Sequence, residues 1–312
     1  PVPVPVPSPV PPAGRHRSVT TEDGVELAVT EFGATDATAT VVLAHGYVQS
    51  SALWAGQVRD LVDTRPDLRV VTYDHRGHGR SGRTTRDRAH LEQLGRDLAL
   101  VLDAVAPTGP VVVGGHSMGG MTVMALAEQR PELFGDRIVG AAFVGTSSGG
   151  LAGLTYGLPA PVARVVTRLL PRLNERAVAA ELAGKARKVG AMDARMIYPK
   201  GVDTGLVQWT LDVHRDCSAE TVAAFLPTFS THERLAALEA VAHVPALVVV
   251  GDQDVLCPVE HSRAIARALP SSELVVYPGV GHMVHLERRS EVSRHLVALV
   301  DRALAASSPP AA

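Results

Sequence analysis

Short runs of β-branched residues alternate with stretches in which apolar side chains recur every three or four positions, from about Val25 to Ala305. Val25–Thr30 alternates apolar and polar residues and predicts an early, half-exposed strand. Val41, Val42 and Leu43 form an apolar run that ends at Ala44-His45-Gly46, and Val70–Tyr73 forms another that ends at Asp74. Leu91, Leu94, Leu98, Val101, Leu102 and Val105 then recur at helical spacing. Val111–Val113 reads as a central buried strand leading straight into Gly114-Gly115-His116-Ser117, and Met118–Gln129 has helical composition up to Arg130-Pro131. Ile138–Val144 and Ala246–Val250 predict two more strands, Val259–Ala268 a helix, Leu274–Tyr277 a strand, and Ser290–Ala305 a last helix. Strands and helices alternating in this way predict a mostly parallel sheet with helices on both faces.

The rhythm breaks between about Ser147 and Ser230, where only helical segments occur, cut by Pro159, Pro161, Pro171, Pro199 and Pro227. A helical insertion between two strands of a parallel sheet predicts a lid over the carboxyl ends of the strands, where open α/β sheets place their sites. Residues 15–306 are therefore expected to form one domain with a helical cap at 147–230. The start, PVPVPVPSPVPP, favours extended polyproline II, so residues 1–14 are expected to be a disordered tail and 307–312 a frayed one. No internal repeat interrupts this plan.

Composition narrows the function more by exclusion than by assertion. Thirty basic and 32 acidic side chains leave a net charge of −2, which gives no electrostatic footprint for nucleic acid. No apolar run approaches the roughly 20 residues needed to span a bilayer, so stable membrane insertion is not expected. Cys217 and Cys257 stand far apart in no metal-ligand spacing, and a reducing, cytoplasmic setting is expected. Arg164, Arg168, Arg172 and Arg176 recur every four residues in the insertion; the stripe is expected to be a solvated cap face, with a carrier-protein phosphate or an anionic surface as what it could otherwise attract.

The chemistry concentrates at Gly115-His116-Ser117-Met118-Gly119. Three valines before this pentapeptide and a helix after it give the strand–turn–helix in which a serine sits exposed on a tight elbow. A serine hydroxyl needs a neighbouring base to take its proton. His282, in the glycine-rich Gly279-Val280-Gly281-His282, is expected to be that base, whereas His285 is expected to open the last helix as a surface or capping histidine. Gly251-Asp252-Gln253-Asp254 follows a strand and offers two carboxylates to orient the imidazole; Asp254 is the chosen acid and Asp252 the local turn former. The backbone N–H groups of Met118 and of Tyr47, in His45-Gly46-Tyr47, are the expected oxyanion donors. Asp74, His75 and His78 are expected to shape a turn and not to bind metal.

These pieces together resemble the α/β-hydrolase superfamily over about Ser18–Leu304. They are His45-Gly46-Tyr47, Asp74-His75-Arg76-Gly77-His78-Gly79-Arg80-Ser81, the Gly-His-Ser-Met-Gly elbow, Gly251-Asp252-Gln253-Asp254 and Gly281-His282. Within it the chain is similar to the bacterial branch of carboxylesterases, monoacylglycerol-lipase-like enzymes, cofactor-free haloperoxidase-type perhydrolases and carbon–carbon bond hydrolases. Epoxide hydrolases and haloalkane dehalogenases carry aspartate where this chain has Ser117, which counts against both. The resemblance implies an α/β-hydrolase fold with an inserted helical cap, and acyl transfer to water through an acyl-Ser117 intermediate without metal or organic cofactor. The same triad serves perhydrolysis, acyl transfer or cyclisation and carbon–carbon hydrolysis, and a non-catalytic ligand receptor would keep the pocket without needing the triad. The insertion supplies Leu154, Tyr156, Met192, Met196, Tyr198, Trp209, Phe225 and Phe229 in a chain with only 4% aromatics, which predicts a hydrophobic acyl substrate that is an uncharged, medium-sized ester, lactone or thioester in preference to a small acetyl ester. Tyr156, Met192, Met196, Trp209 and Phe229 are the candidate pocket residues.

Overall fold

The computed structural model describes residues 11–153, 169, 172–173, 175–185 and 189–307. Eight strands form one sheet in the order β1-β2-β4-β3-β5-β6-β7-β8. They are β1 (Arg15–Thr20), β2 (Glu26–Gly33), β3 (Ala39–Ala44), β4 (Leu68–Tyr73), β5 (Val111–His116), β6 (Ile138–Val144), β7 (Ala246–Gly251) and β8 (Ser272–Tyr277). β1 and β2 pair antiparallel at one edge, and every pairing from β4 through β8 is parallel. Strands β3, β5, β6 and β7 are buried at every position, which is why they read as continuous apolar runs and not as alternations.

Helices α1 (Ala55–Thr64), α2 (Leu91–Val105) and α3 (Met118–Gln129) follow in chain order. The helix Arg289–Ser307 packs with α1 on one face of the sheet, joining Val58, Leu61, Leu296 and Leu299 to Val41 and Val249. On the other face α2 and α3 place Leu98, Leu102, Val123 and Leu126 against Val42, Val113 and Val248. Residues Met118 to Ala127 of α3 are all buried, as expected of a helix that is apolar on every side. Two elements escaped the sequence pattern. β1 is a mostly exposed polar edge strand, and α1 has only a short apolar face with Gly56 inside it.

The segment between β6 and β7 carries the inserted cap. Its described helices are Ala191–Ile197, Thr204–Arg215 and Ala219–Phe225, with further helical residues at 175–182. Arg172 and Arg176 of the basic stripe are exposed, whereas Arg164 and Arg168 lie outside the described residues, as do Leu154 and most of both tails. The last helix runs two residues further than expected, to Ser307. No helix among the described residues is long and apolar enough to cross a membrane.

Arg76, in the turn after β4, is wholly buried and bonds Asp97 through Nε and Nη2 at 2.6 and 2.8 Å, and Asp23 at 2.8 and 3.1 Å. A guanidinium removed from water in this way is tolerated only while its carboxylates face it. Asp97→Ala is therefore expected to cost about 3–5 kcal/mol of stability, read by denaturant unfolding, because it strands a buried charge. A loss below about 1 kcal/mol would mean that Asp23 alone compensates Arg76.

Candidate active site

The sheet places β3, β5, β6, β7 and β8 side by side and parallel with their carboxyl ends at one edge, so the loops that leave them converge. β3 lies between β4 and β5, which makes the β3/β5 crevice the switch point of the sheet. Ser117 stands at that crevice with φ 53° and ψ −118°, a conformation rare for a residue with a side chain. Holding it there requires glycine on both sides. A Cβ on Gly115 would lie 2.1 Å from the carbonyl carbon of Gly119, and one on Gly119 would lie 2.2 Å from the Ala44 carbonyl oxygen. The strand, the turn and α3 thus approach each other too closely for any other residue type. The Met118 N–H is the first of the helix, one of those without an intrahelical acceptor. Among the described residues no hydrogen bond engages the Ser117 hydroxyl. Bonds between nucleophile and base are often long before substrate arrives.

Asp254 and His282 meet as expected: His282 Nδ1 donates to Asp254 Oδ2 at 2.8 Å, with both side chains almost fully buried. A carboxylate only accepts, so the ring proton sits on Nδ1 and Nε2 carries the lone pair. The other carboxylate oxygen, Oδ1, accepts the Leu256 and Cys257 N–H groups at 2.9 and 2.8 Å, which fixes the plane of the acid. Asp252 points elsewhere, and its Oδ1 accepts the Gly279 N–H at 2.7 Å on the exposed side of the loop. The elbow reaches the base loop through His116, whose Nε2 lies 3.0 Å from the His282 carbonyl oxygen.

Gln49 joins this assembly to the loop after β3. Its Oε1 accepts the Gly46 N–H at 2.9 Å and lies 3.1 Å from His116 Nδ1, while its Nε2 lies 3.5 Å from Met283 Sδ. One buried amide therefore touches the loops that carry Tyr47, Ser117 and His282. Val48, next to Tyr47, has φ 62°, strained for a β-branched residue. The Tyr47 hydroxyl donates to the Val222 carbonyl in the cap helix Ala219–Phe225. Nothing in the sequence marked Gln49, because a glutamine in a glycine loop carries no periodic signal.

His285 is a correction. It is fully buried in the turn Val284–Glu287, with its ring 4.3 Å from His116 and 4.6 Å from Trp54, and does not open the last helix. The last helix starts later, at Arg289, and the chain first turns inward under the elbow. Burial pulls the His285 pKa down to about 3, so the ring is neutral. His75 and His78 are also buried beside His45, with pKa values lowered by burial, and Asp74 accepts the Ser51 and Arg80 N–H groups at 2.7 and 2.9 Å. These bonds make Asp74 the clamp of its turn, and no three acidic, histidine or cysteine side chains among the described residues gather as metal ligands.

Of the candidate pocket residues, Phe229 sits beside the elbow, its ring 5.0 Å from Tyr47, in an apolar cluster with Met118, Met121, Leu151 and Phe225. Met196 is half-buried in the cap helix Ala191–Ile197. Trp209 packs behind the base loop with Ile197, Tyr198 and Met283, away from the Tyr47–Phe229 cluster. Tyr156 and the Met192 side chain lie outside the described residues.

The chain resembles known proteins over most of its length. The family model described as "Serine aminopeptidase, S33" matches residues 35–289. Monoacylglycerol lipase of Mycolicibacterium smegmatis is 30% identical over 265 residues, covering 81% of this chain and 84% of the relative. The bifunctional esterase/perhydrolase DCH of Acinetobacter calcoaceticus is 27% identical over 288 residues, 90% of this chain and 98% of the relative. A thermophilic esterase from Thermogutta terrifontis superposes with a TM-score of 0.73 at 24% identity, covering 94% of this chain and 99% of that one. The chain belongs to the serine aminopeptidase S33 family of α/β-hydrolases and is a serine-dependent, esterase- or lipase-like hydrolase.

Proposed function

We propose that this chain hydrolyses an uncharged, medium-sized hydrophobic ester, lactone or thioester through an acyl-Ser117 intermediate, with residues 147–230 as the lid of a single catalytic domain at 15–306. The observation that carries the reading is the 2.8 Å contact between His282 Nδ1 and Asp254 Oδ2, on loops that border a strained Ser117. His282 Nε2 takes the Ser117 proton as Oγ attacks the acyl carbon, and Asp254 stabilises the resulting imidazolium. The Tyr47 and Met118 N–H groups hold the developing oxyanion. His282 then protonates the leaving group and activates a water that releases the acid. None of these steps draws on a metal or an organic cofactor.

The acyl group's surroundings follow from the apolar cluster beside the elbow. Met118, Met121, Leu151, Phe225 and Phe229 offer an aliphatic and aromatic wall, and methionines repack around different shapes. The name of the Mycolicibacterium relative, a monoacylglycerol lipase, supports an uncharged acyl ester as substrate. A series of p-nitrophenyl esters from acetate to decanoate tests this. Each buried methylene contributes up to ~0.8 kcal/mol, so kcat/KM is expected to rise about fourfold per carbon until the pocket is full. A flat profile, or one falling from acetate onward, would mean that the cap closes the site to acyl chains. Product analysis with hydrogen peroxide present separates hydrolysis from perhydrolysis, the second reading that the Acinetobacter relative's name supports.

A further inference from the structure

The base loop is held at three consecutive residues by three different parts of the molecule. The Val280 carbonyl accepts the Gln253 N–H of the acid loop at 2.9 Å. The His282 N–H donates to the Ile197 carbonyl, at the end of the cap helix Ala191–Ile197, at 3.0 Å. Between them, the Gly281 N–H donates to Glu287 Oε1 at 2.9 Å. Gly281 has no room for a side chain, because a Cβ would lie 2.7 Å from Pro199 Cδ and 2.8 Å from the Ile197 carbonyl oxygen. The segment is thus sandwiched between cap and main domain, and those three bonds, with the His116 contact to the His282 carbonyl, set its orientation. Glu287 alone among the three partners brings a charge.

From this geometry we infer that Glu287 is a positioning residue for His282: its carboxylate holds the Gly281–His282 segment against the cap and favours the imidazolium that His282 becomes during turnover. The inference rests on the reading of His282 as the base. A carboxylate is a stronger acceptor than a neutral oxygen, and this one is half-buried, where its field is less screened. It lines a cavity of about 340 Å³ with Pro199, Lys200, Trp209 and His285, so protons can reach it.

The charge on Glu287 is conditional. Burial pushes its carboxyl up to about 7, and Asp254 adds in the same direction, while the Gly281 amide, Arg288 and His282 oppose it. Lys200 and Asp203 face the same cavity from the cap, together with Arg289 and His285 from the main domain; Arg289 is paired with Asp60 and His285 is neutral. As the pH falls through about 7, Glu287 takes up a proton, the bond to Gly281 weakens and the field on His282 disappears. Activity is therefore expected to show a Glu287 ionisation on the acid side, in addition to that of the base.

The experiment begins by labelling the full chain with a fluorophosphonate and locating the adduct. An adduct on Ser117, with activity abolished in His282→Ala, establishes the reading beneath the inference; failure of either overturns both. Glu287→Gln and Glu287→Ala are then measured for kcat and KM from about pH 5.5 to 9. Glutamine keeps an oxygen for the Gly281 N–H and loses the charge. It is expected to lower kcat about three- to tenfold at high pH with unchanged KM, and to remove one ionisation from the acid limb. Alanine is expected to lower kcat about 10–100-fold across the range. If Glu287→Ala does not fold, the Glu287→Gln profile decides. A Glu287→Gln enzyme with wild-type kcat and an unchanged pH profile would overturn the inference, and so would an effect confined to KM.

Discussion

Ser117→Ala is expected to remain folded and to lose about 10⁴–10⁶-fold in kcat. The first half follows from the backbone: alanine and serine both carry a Cβ, so the strain at φ 53° is the same in both and the close contacts of Gly115 and Gly119 are untouched. The second half follows because the oxyanion donors survive, leaving a residue of catalysis but no nucleophile. Ser117→Gly is the informative companion. Glycine relieves the strain, worth of order 1–3 kcal/mol, so it is expected to melt higher than Ser117→Ala while being equally inactive. Thermal unfolding of the two variants beside wild type checks the strain, and turnover checks the chemistry. A folded Ser117→Ala enzyme with full activity would move the nucleophile elsewhere.

The second large effect separates two aspartates only two positions apart. In Asp254→Asn the remaining oxygen is expected to keep the Leu256 and Cys257 N–H groups, which turns the amide nitrogen toward His282. A donor facing Nδ1 forces the ring proton onto Nε2, the atom that must accept from Ser117. The expected loss is about 10³–10⁴-fold in kcat with little change in KM. Asp252→Asn keeps its acceptor for the Gly279 N–H and is expected to cost no more than about threefold. Steady-state kinetics on both variants give the ranking, and the reverse order would make Asp252 the acid.

Of the residues proposed for chemistry, Ser117 and Asp254 were legible because each follows a buried strand whose composition is unmistakable, whereas His282 follows the half-exposed edge strand β8 and was read from its glycine-rich loop. Val111–Val113 marks the elbow, and Ala246–Val250 marks the acid loop. What stayed hidden lacks periodicity. Strand β1 reads Arg-His-Arg-Ser-Val-Thr, a polar edge that pairs through its backbone. Gln49 acts through one amide that bonds Gly46 in its own loop and reaches His116 and Met283 on distant ones. His285 looked like a surface residue because local sequence cannot reveal that the chain dips beneath the elbow before the last helix begins. Trp209 was one candidate pocket residue, and its place behind the His282 loop is set by how the cap docks, which no run of residues encodes.

The order of strands across the sheet carries a consequence for how the molecule comes into being. The proposed nucleophile, acid and base enter in chain order after β5, β7 and β8, and β8 is the outermost strand, added to β7 alone. A chain synthesised from its N-terminus can complete the elbow and the oxyanion loop while still lacking its base. Only when the last strand adds to the edge and the turn after it tucks under the elbow does His282 come within reach of Asp254. On the proposed roles, a chain that ends before β8 would carry the serine without its base.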